Sequence, residues 1–249
     1  MAPRLVRRRL CILLVGLLFA SAATFSNTPD VKRWVGLFES RYRAPRSLRA
    51  TFLERYTEGG RLVRVETGTA YFLRPGKMRW EYESPEKNLF LVDGKMAWFY
   101  VPADHTVTRV PAKQSSDWRT PLALLAGEMK VSRVCSRVET AKEEKPESPD
   151  HAILYCALRG GQSPESGSVK GKTSSQTSAE AETVFFEVAK DTGELVRVIV
   201  RDPGGIGLEF HFANWQLDPP VPASLFQFQP PLGVAIVNGE LPAPNNLVK

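Results

Sequence analysis

Side chains able to do chemistry are few and scattered in this chain of 249 residues. Cys135 and Cys156 flank a hydrophilic stretch, and a bridge across it would contribute on the order of 3 kcal/mol by loop closure. Two buried free thiols are the other reading of the same pair. Neither cysteine has a second ligand at CxxC or HxxxH spacing, so no metal site is expected. The histidines His105, His151 and His211 stand apart and lack ligand spacing. Glu86 and Asp93 could be imagined as a general acid–base pair, but both fall in turn signals, where these residue types are expected anyway. No GxSxG elbow, HExxH, Walker loop or GxGxxG occurs, so neither an enzymatic activity nor a cofactor is expected. One cation stands out. Arg74 ends a strand pattern directly before Pro75, and its guanidinium offers five donors in a rigid fork; a solvated turn arginine is the plainer reading.

The remaining candidates are apolar. Met78, Trp80 and Tyr82 alternate with Arg79, Glu81 and Glu83, giving one strand with an apolar and a charged face. Trp98 and Tyr100 share a face of another strand. The runs 89–92 and 97–101 are apolar on both faces. Either they are central strands with core on both sides, or they belong to a curved sheet whose concave face lines a greasy hollow. On the second reading the hollow is lined by Phe72, Met78, Trp80, Tyr82, Leu91, Trp98 and Tyr100, and by Leu122 and Leu125 from a short helix.

The elements that must position these residues can be read along the chain. Arg4, Arg7, Arg8 and Arg9 precede a run over 10–23 of almost wholly apolar or small residues, with small residues at Ala20-Ser21-Ala22. This is the pattern of a signal peptide spanning 1–22, too short to cross a bilayer comfortably. Setting those residues aside lowers the net charge from +6 to +2, and the nucleic-acid footprint goes with it. Val31, Trp34, Val35, Phe38 and Tyr42 then form one helical stripe that Pro45 stops. Strand patterns follow over 48–56, 61–73, 78–82, 89–92, 95–101 and 106–110. Asp93-Gly94 is the strongest hairpin signal, and Gly68 a bulge or tight bend. Thr120 to Gly127 reads as a two-turn helix that plugs an opening. Strands resume over 131–138, 151–159, 183–188, 195–201 and 206–215, and the chain closes with 226–231 and 234–237. The composition of 160–182 predicts a disordered insertion, and 238–249 is a proline-containing tail. The fold class expected is mainly β (α+β): a curved, unclosed antiparallel barrel of about ten to eleven strands, lidded by an N-terminal amphipathic helix and short helices, as one domain over 23–237.

The string Arg74-Pro75-Gly76-Lys77-Met78-Arg79-Trp80-Glu81-Tyr82, then Leu91-Val92-Asp93-Gly94-Lys95 and Trp98-Phe99-Tyr100, resembles the outer-membrane lipoprotein carrier family (LolA). Phe226-Gln227-Phe228-Gln229-Pro230-Pro231-Leu232-Gly233-Val234 is similar to that family's C-terminal strand. The resemblance runs in order over about 29–237; the insertion at 160–182 and the tail depart from it. It implies a monomeric, non-catalytic periplasmic carrier without a cofactor or nucleic-acid partner. Such a carrier takes lipoprotein acyl chains from an inner-membrane releasing transporter and passes them to an outer-membrane acceptor. By the same resemblance Arg74 latches the lid helices through backbone carbonyls, with the loop around 124–127 as partner. A glycolipid or phospholipid carrier and an envelope-stress sensor are the alternatives of the same shape.

Overall fold

The structure is a computed structural model describing residues 28–114, 122–159 and 182–241. The expected signal peptide, Thr120 and Pro121, nearly all of the 160–182 insertion and the end of the tail lie outside the described residues.

Helix α1 (Thr28–Arg43) is followed by the meander β1 (Ser47–Glu58), β2 (Arg61–Leu73), β3 (Lys77–Ser84), β4 (Leu89–Val92), β5 (Met96–Val101) and β6 (Thr106–Pro111). Two single-turn helices, α2 (Ala123–Ala126) and α3 (Val131–Val134), lead into β7 (Cys135–Thr140), β8 (His151–Leu158), β9 (Thr183–Ala189), β10 (Leu195–Arg201), β11 (Ile206–Leu217) and β12 (Ala235–Asn238). Among the described residues, these twelve strands form one sheet in the order β12-β6-β5-β4-β3-β2-β1-β11-β10-β9-β8-β7, whose edges, β12 and β7, do not pair with each other, so the curved sheet is unclosed there. The β12–β6 pair is parallel, an exception to the antiparallel expectation.

Alternation along the strands decides which residues meet the helices. Leu48, Ala50, Phe52 and Tyr56 of β1 are buried while Arg49, Thr51, Leu53 and Arg55 are partly exposed. The same concave face carries Phe72, Met78, Trp80, Phe90, Phe186 and Phe210, and packs against Phe38 and Tyr42 of α1 and Leu122, Leu124 and Leu125 near α2. A sheet this large, apolar on one face, would expose its core to water without that cover. Helix α1 approaches the β9–β10 hairpin so closely that a Cβ on Gly193 would lie 2.4 Å from the Leu37 carbonyl carbon. With φ at +68°, Gly193 is also in the left-handed region, and both constraints demand glycine.

Three segments depart from the sequence expectation. The strand over 131–138 begins only at Cys135, because its first four residues turn into α3. The Glu39 carboxylate of α1 accepts the Val131 N–H at 2.8 Å and stabilises that turn, overriding the β-preference of two valines. The stretch 226–231 is not a strand. Residues Ala223–Phe226 form a 3-10 turn, and Phe228 lies across the outer face with its ring 5.6 Å from that of Trp98.

The third departure concerns Leu91, Trp98 and Tyr100, which do not line the concave face. Cross-strand register places Trp80 opposite Phe90 and Phe90 opposite Phe99, so these share the inner face. Leu91 pairs with Arg79 and Trp98, and Tyr100 with Leu89, which puts all three on the outer face. There Phe228 covers Trp98 and Tyr100, and Leu91 is fully buried. Runs apolar on both faces arise here because the chain's own C-terminal segment builds a second apolar layer outside the sheet. The Arg79 guanidinium ties that segment down, donating to the Leu225 carbonyl at 3.0 Å.

Candidate functional site: an aromatic concave wall under tied helices

The concave wall is built around Trp80, whose side chain is wholly buried. Its ring meets Phe52 at 4.9 Å, Phe72 at 5.9 Å, Phe210 at 5.3 Å and Phe212 at 6.0 Å between centroids. All are edge-on contacts, the arrangement that the ring quadrupoles favour. Phe72, Met78, Trp80, Tyr82, Leu122 and Leu125 all belong to the one buried cluster beneath the helices. One polar pair interrupts this wall. The Tyr82 hydroxyl donates to Glu54 at 2.7 Å, and Glu54 is buried. Cross-strand from Glu54 is Glu66, which is paired with Arg64 at 2.8 Å. Beyond these, at the hairpin end of β1, the Tyr56 hydroxyl donates to Glu58. Burial, followed by the adjacent Glu58 carboxylate, pushes the Tyr56 phenol up to about 12.

The opposite end of the wall is closed by Arg74. Its Nε donates to the Gly127 carbonyl at 2.7 Å, its Nη2 to the Tyr42 carbonyl, and its Nη1 to the Pro45 carbonyl and, at 3.4 Å, to that of Arg43. Tyr42 and Arg43 belong to the last turn of α1, and Gly127 follows α2. These carbonyls have no partner within their own helices, and one fork satisfies them together. Burial lowers the guanidinium's pKa from its ordinary value, against the pull of Asp218. The Gly76 N–H donates to the Ala126 carbonyl at 2.8 Å, so the turn after Arg74 holds α2 as well.

Three side chains that sequence reasoning missed fix α1 along its length. Glu39 spans from α1 to α3. The Leu195 N–H donates to the Tyr42 hydroxyl at 3.0 Å, and Trp215 Nε1 donates to the Leu195 carbonyl at 2.8 Å. Burial raises the Tyr42 phenol's pKa well above the usual range. A tyrosine on an apolar stripe carries no sequence mark of the backbone amide its hydroxyl will meet. Glu54 did carry a mark: it is a carboxylate at a core-facing position of the alternation Leu48, Ala50, Phe52, Tyr56.

Cys135 and Cys156 are joined in a disulfide, with Cα atoms 5.3 Å apart, and the bond ties β7 to β8 directly after α3. Asp93 and Glu86 do not form a pair. Asp93 closes its hairpin, accepting from the Lys95 and Met96 amides and from Trp98 Nε1. Burial works to raise its carboxyl pKa, but these bonds outweigh it and hold it below the ordinary value. His151 and His211 sit on the outer face beside Glu187 and Glu209. Among the described residues, no group of three His, Cys, Asp or Glu is placed to hold a metal ion. Among the described residues, the concave side is an apolar face covered by α1 and α2.

Residues 45–147 match the family model of the outer membrane lipoprotein carrier protein LolA. An outer-membrane lipoprotein carrier protein of Nitrosospira multiformis is 27% identical over 233 residues, covering 92% of this chain and 97% of that protein. One of the same description from Nitrosomonas europaea is 29% identical over 178 residues, covering 71% and 74%. Among solved structures, a LolA superfamily protein from Nitrosomonas europaea aligns with a TM-score of 0.42 at 9% identity, over 80% of this chain and 97% of that one.

Proposed function

We propose that this chain, whose residues 45–147 match the outer-membrane lipoprotein carrier (LolA) family, is a carrier of that family and shuttles lipoproteins between membranes by shielding their acyl chains on the concave wall. The reading includes export to the periplasm after removal of residues 1–22. It also includes loading from an inner-membrane releasing transporter, delivery to an outer-membrane acceptor, and work as a monomer without catalysis. The observation that carries it is the aromatic wall around Trp80, covered by helices whose ends one arginine, Arg74, joins.

The physics of the cycle follows from two opposing terms. Each methylene moved from water to the wall contributes about 0.8 kcal/mol, which makes capture favourable. Entry of the chains must part the helices from the wall and so break the Arg74 bonds. Reforming those bonds favours the empty, closed state and drives release. Neither term needs a nucleotide or a proton at the carrier itself.

Native mass spectrometry of the protein taken from the periplasm tests the reading. A co-purified acylated polypeptide supports it. A small glycolipid or phospholipid alone, or a persistent protein complex without lipid, would replace it.

A further inference from the structure

The connection between β7 and β8 is far longer than a hairpin needs. About two to five residues suffice for such a turn, yet residues 141–150 separate Thr140 from His151. The extra length folds over the outer face of β9, β10 and β11, away from the helices. From Lys142 to Asp150 no residue is buried, and the only apolar side chains are two exposed prolines. Four carboxylates stand there against two lysines. Hydrophobic burial therefore does not hold the segment, and a charged floor does. Arg201 Nη2 donates to the Glu144 carboxylate at 3.0 Å, and His211 Nδ1 lies 3.2 Å from that of Glu147. Between these contacts the main chain itself is read. Arg197 Nη2 donates to the Lys145 carbonyl at 3.0 Å, and the Glu147 N–H donates to the Glu187 carboxylate at 2.7 Å. Arg197 and Glu187 are 8% and 0% exposed and pair with each other at 2.8 Å. A buried ion pair is costly unless its remaining donors and acceptors are met. The floor thus calls for an occupant with a carbonyl and an amide two residues apart and carboxylates three residues apart. Beyond Glu147 the segment is tied separately, by Lys190 Nζ donating to the Pro149 carbonyl at 2.6 Å.

Independently of the carrier reading, we propose that the outer face around Arg197, Arg201 and His211 is a docking surface for an acidic peptide segment of a partner protein, which residues 142–147 occupy until that segment displaces them. Arginine forks aimed at carboxylates and carbonyls are a general means of recognising acidic motifs. Every contact that residues 142–147 make with the floor comes from a backbone group or a glutamate carboxylate. Another chain carrying two glutamates at the same spacing supplies the same groups, so the exchange leaves the Arg197–Glu187 pair covered throughout.

The probe is a fluorescent, end-capped peptide with the sequence of residues 141–150, titrated by anisotropy against the full mature chain. Glu144→Gln with Glu147→Gln loosens the protein's own segment and leaves the floor intact, so the peptide should bind this variant about tenfold more tightly than the wild type. Adding Arg201→Gln should weaken that binding about tenfold, and raising the salt should weaken it further. A peptide with glutamine at both glutamate positions should not bind. In the wild-type protein, saturating peptide should speed hydrogen exchange at 142–147 and leave β9 and β10 unchanged, a readout that needs no variant to fold. Absence of peptide binding to the loosened variant overturns the docking surface. So do equal affinity for the glutamine peptide and wild-type exchange at 142–147 under saturating peptide. Binding of the loosened variant to phosphatidylglycerol vesicles in place of the peptide would assign the face to a lipid headgroup and overturn it as well.

Discussion

Removing Arg74 is the perturbation with the most calculable consequence. The side chain donates to four carbonyls drawn from the end of α1, the following segment and the residue after α2. Hydrogen bonds from a charged donor contribute about 1.5–3 kcal/mol each. The bonds to Tyr42 and Gly127 are the ones that bear directly on the helices, for a gross 3–6 kcal/mol on the same scale. Arg74 is only half-buried, and screening by solvent reduces this to about 2–3 kcal/mol. Arg74→Leu should therefore shift the local opening of α1 and α2 by about 30- to 150-fold. Hydrogen exchange read by mass spectrometry measures that opening directly. Amides of α1 and of residues 122–127 should exchange faster by this factor, while those of β1, at the centre of the sheet, stay unchanged. The loaded variant should take up lipoprotein but pass it to acceptor vesicles more slowly, because closing no longer drives release. Arg74→Lys should recover only part of either effect, since a point charge cannot reach carbonyls on two helices at once. Wild-type exchange in α1, or transfer at the wild-type rate, would show that the arginine merely decorates a turn.

Other consequences follow from the same geometry. Gly193→Ala should lower thermal stability by at least about 2 kcal/mol, because its Cβ would meet the α1 backbone and its φ of +68° disfavours any side chain; a wild-type melting temperature would contradict this packing. Replacing Cys135 and Cys156 together by serine should destabilise by about 3 kcal/mol in denaturant titration, and addition of reductant to the native protein should reproduce the loss. On the outer face, the His211 imidazole 3.6 Å away and the Arg201 guanidinium at 3.0 Å hold the Glu209 carboxyl at about 2 against burial. A depressed folded pKa stabilises the native state above the ordinary carboxylate range, and that contribution is lost as pH falls towards 2. Acid unfolding of Glu209→Gln should accordingly show a flatter stability profile across that window than the wild type.

Much of this architecture is legible in the sequence because it rests on local chemistry. Alternation in Met78, Trp80 and Tyr82, the stripe from Val31 to Tyr42, the Asp93-Gly94 turn and the bulge signal at Gly68 each arise within a few residues, and the register shifts between Thr67 and Gly68. Relations between distant elements leave no such trace. The Glu39 carboxylate that turns Val131–Val134 into a helix is 92 positions away, and the amide bound by the Tyr42 hydroxyl is 153 positions away. The polar contact of Glu54 lies between these cases: its core-facing position was readable, while its partner Tyr82, on β3, was not.

The two faces of β4 and β5 show where alternation stops being informative. Periodicity reports the number of buried faces and is silent about which one faces the helices. Leu91, Trp98 and Tyr100 are as apolar as Phe90 and Phe99, yet register carries them to the side covered by the C-terminal segment. The distinction has a functional consequence. Trp98→Ala should expose Phe228 and loosen the segment around it while leaving acyl binding intact, whereas Trp80→Ala takes away the centre of the concave wall itself. Dye displacement by an acyl ester separates the two directly: its affinity should fall in the Trp80 variant and hold in the Trp98 variant. Equal losses in both would mean that the outer layer, too, takes part in holding the cargo.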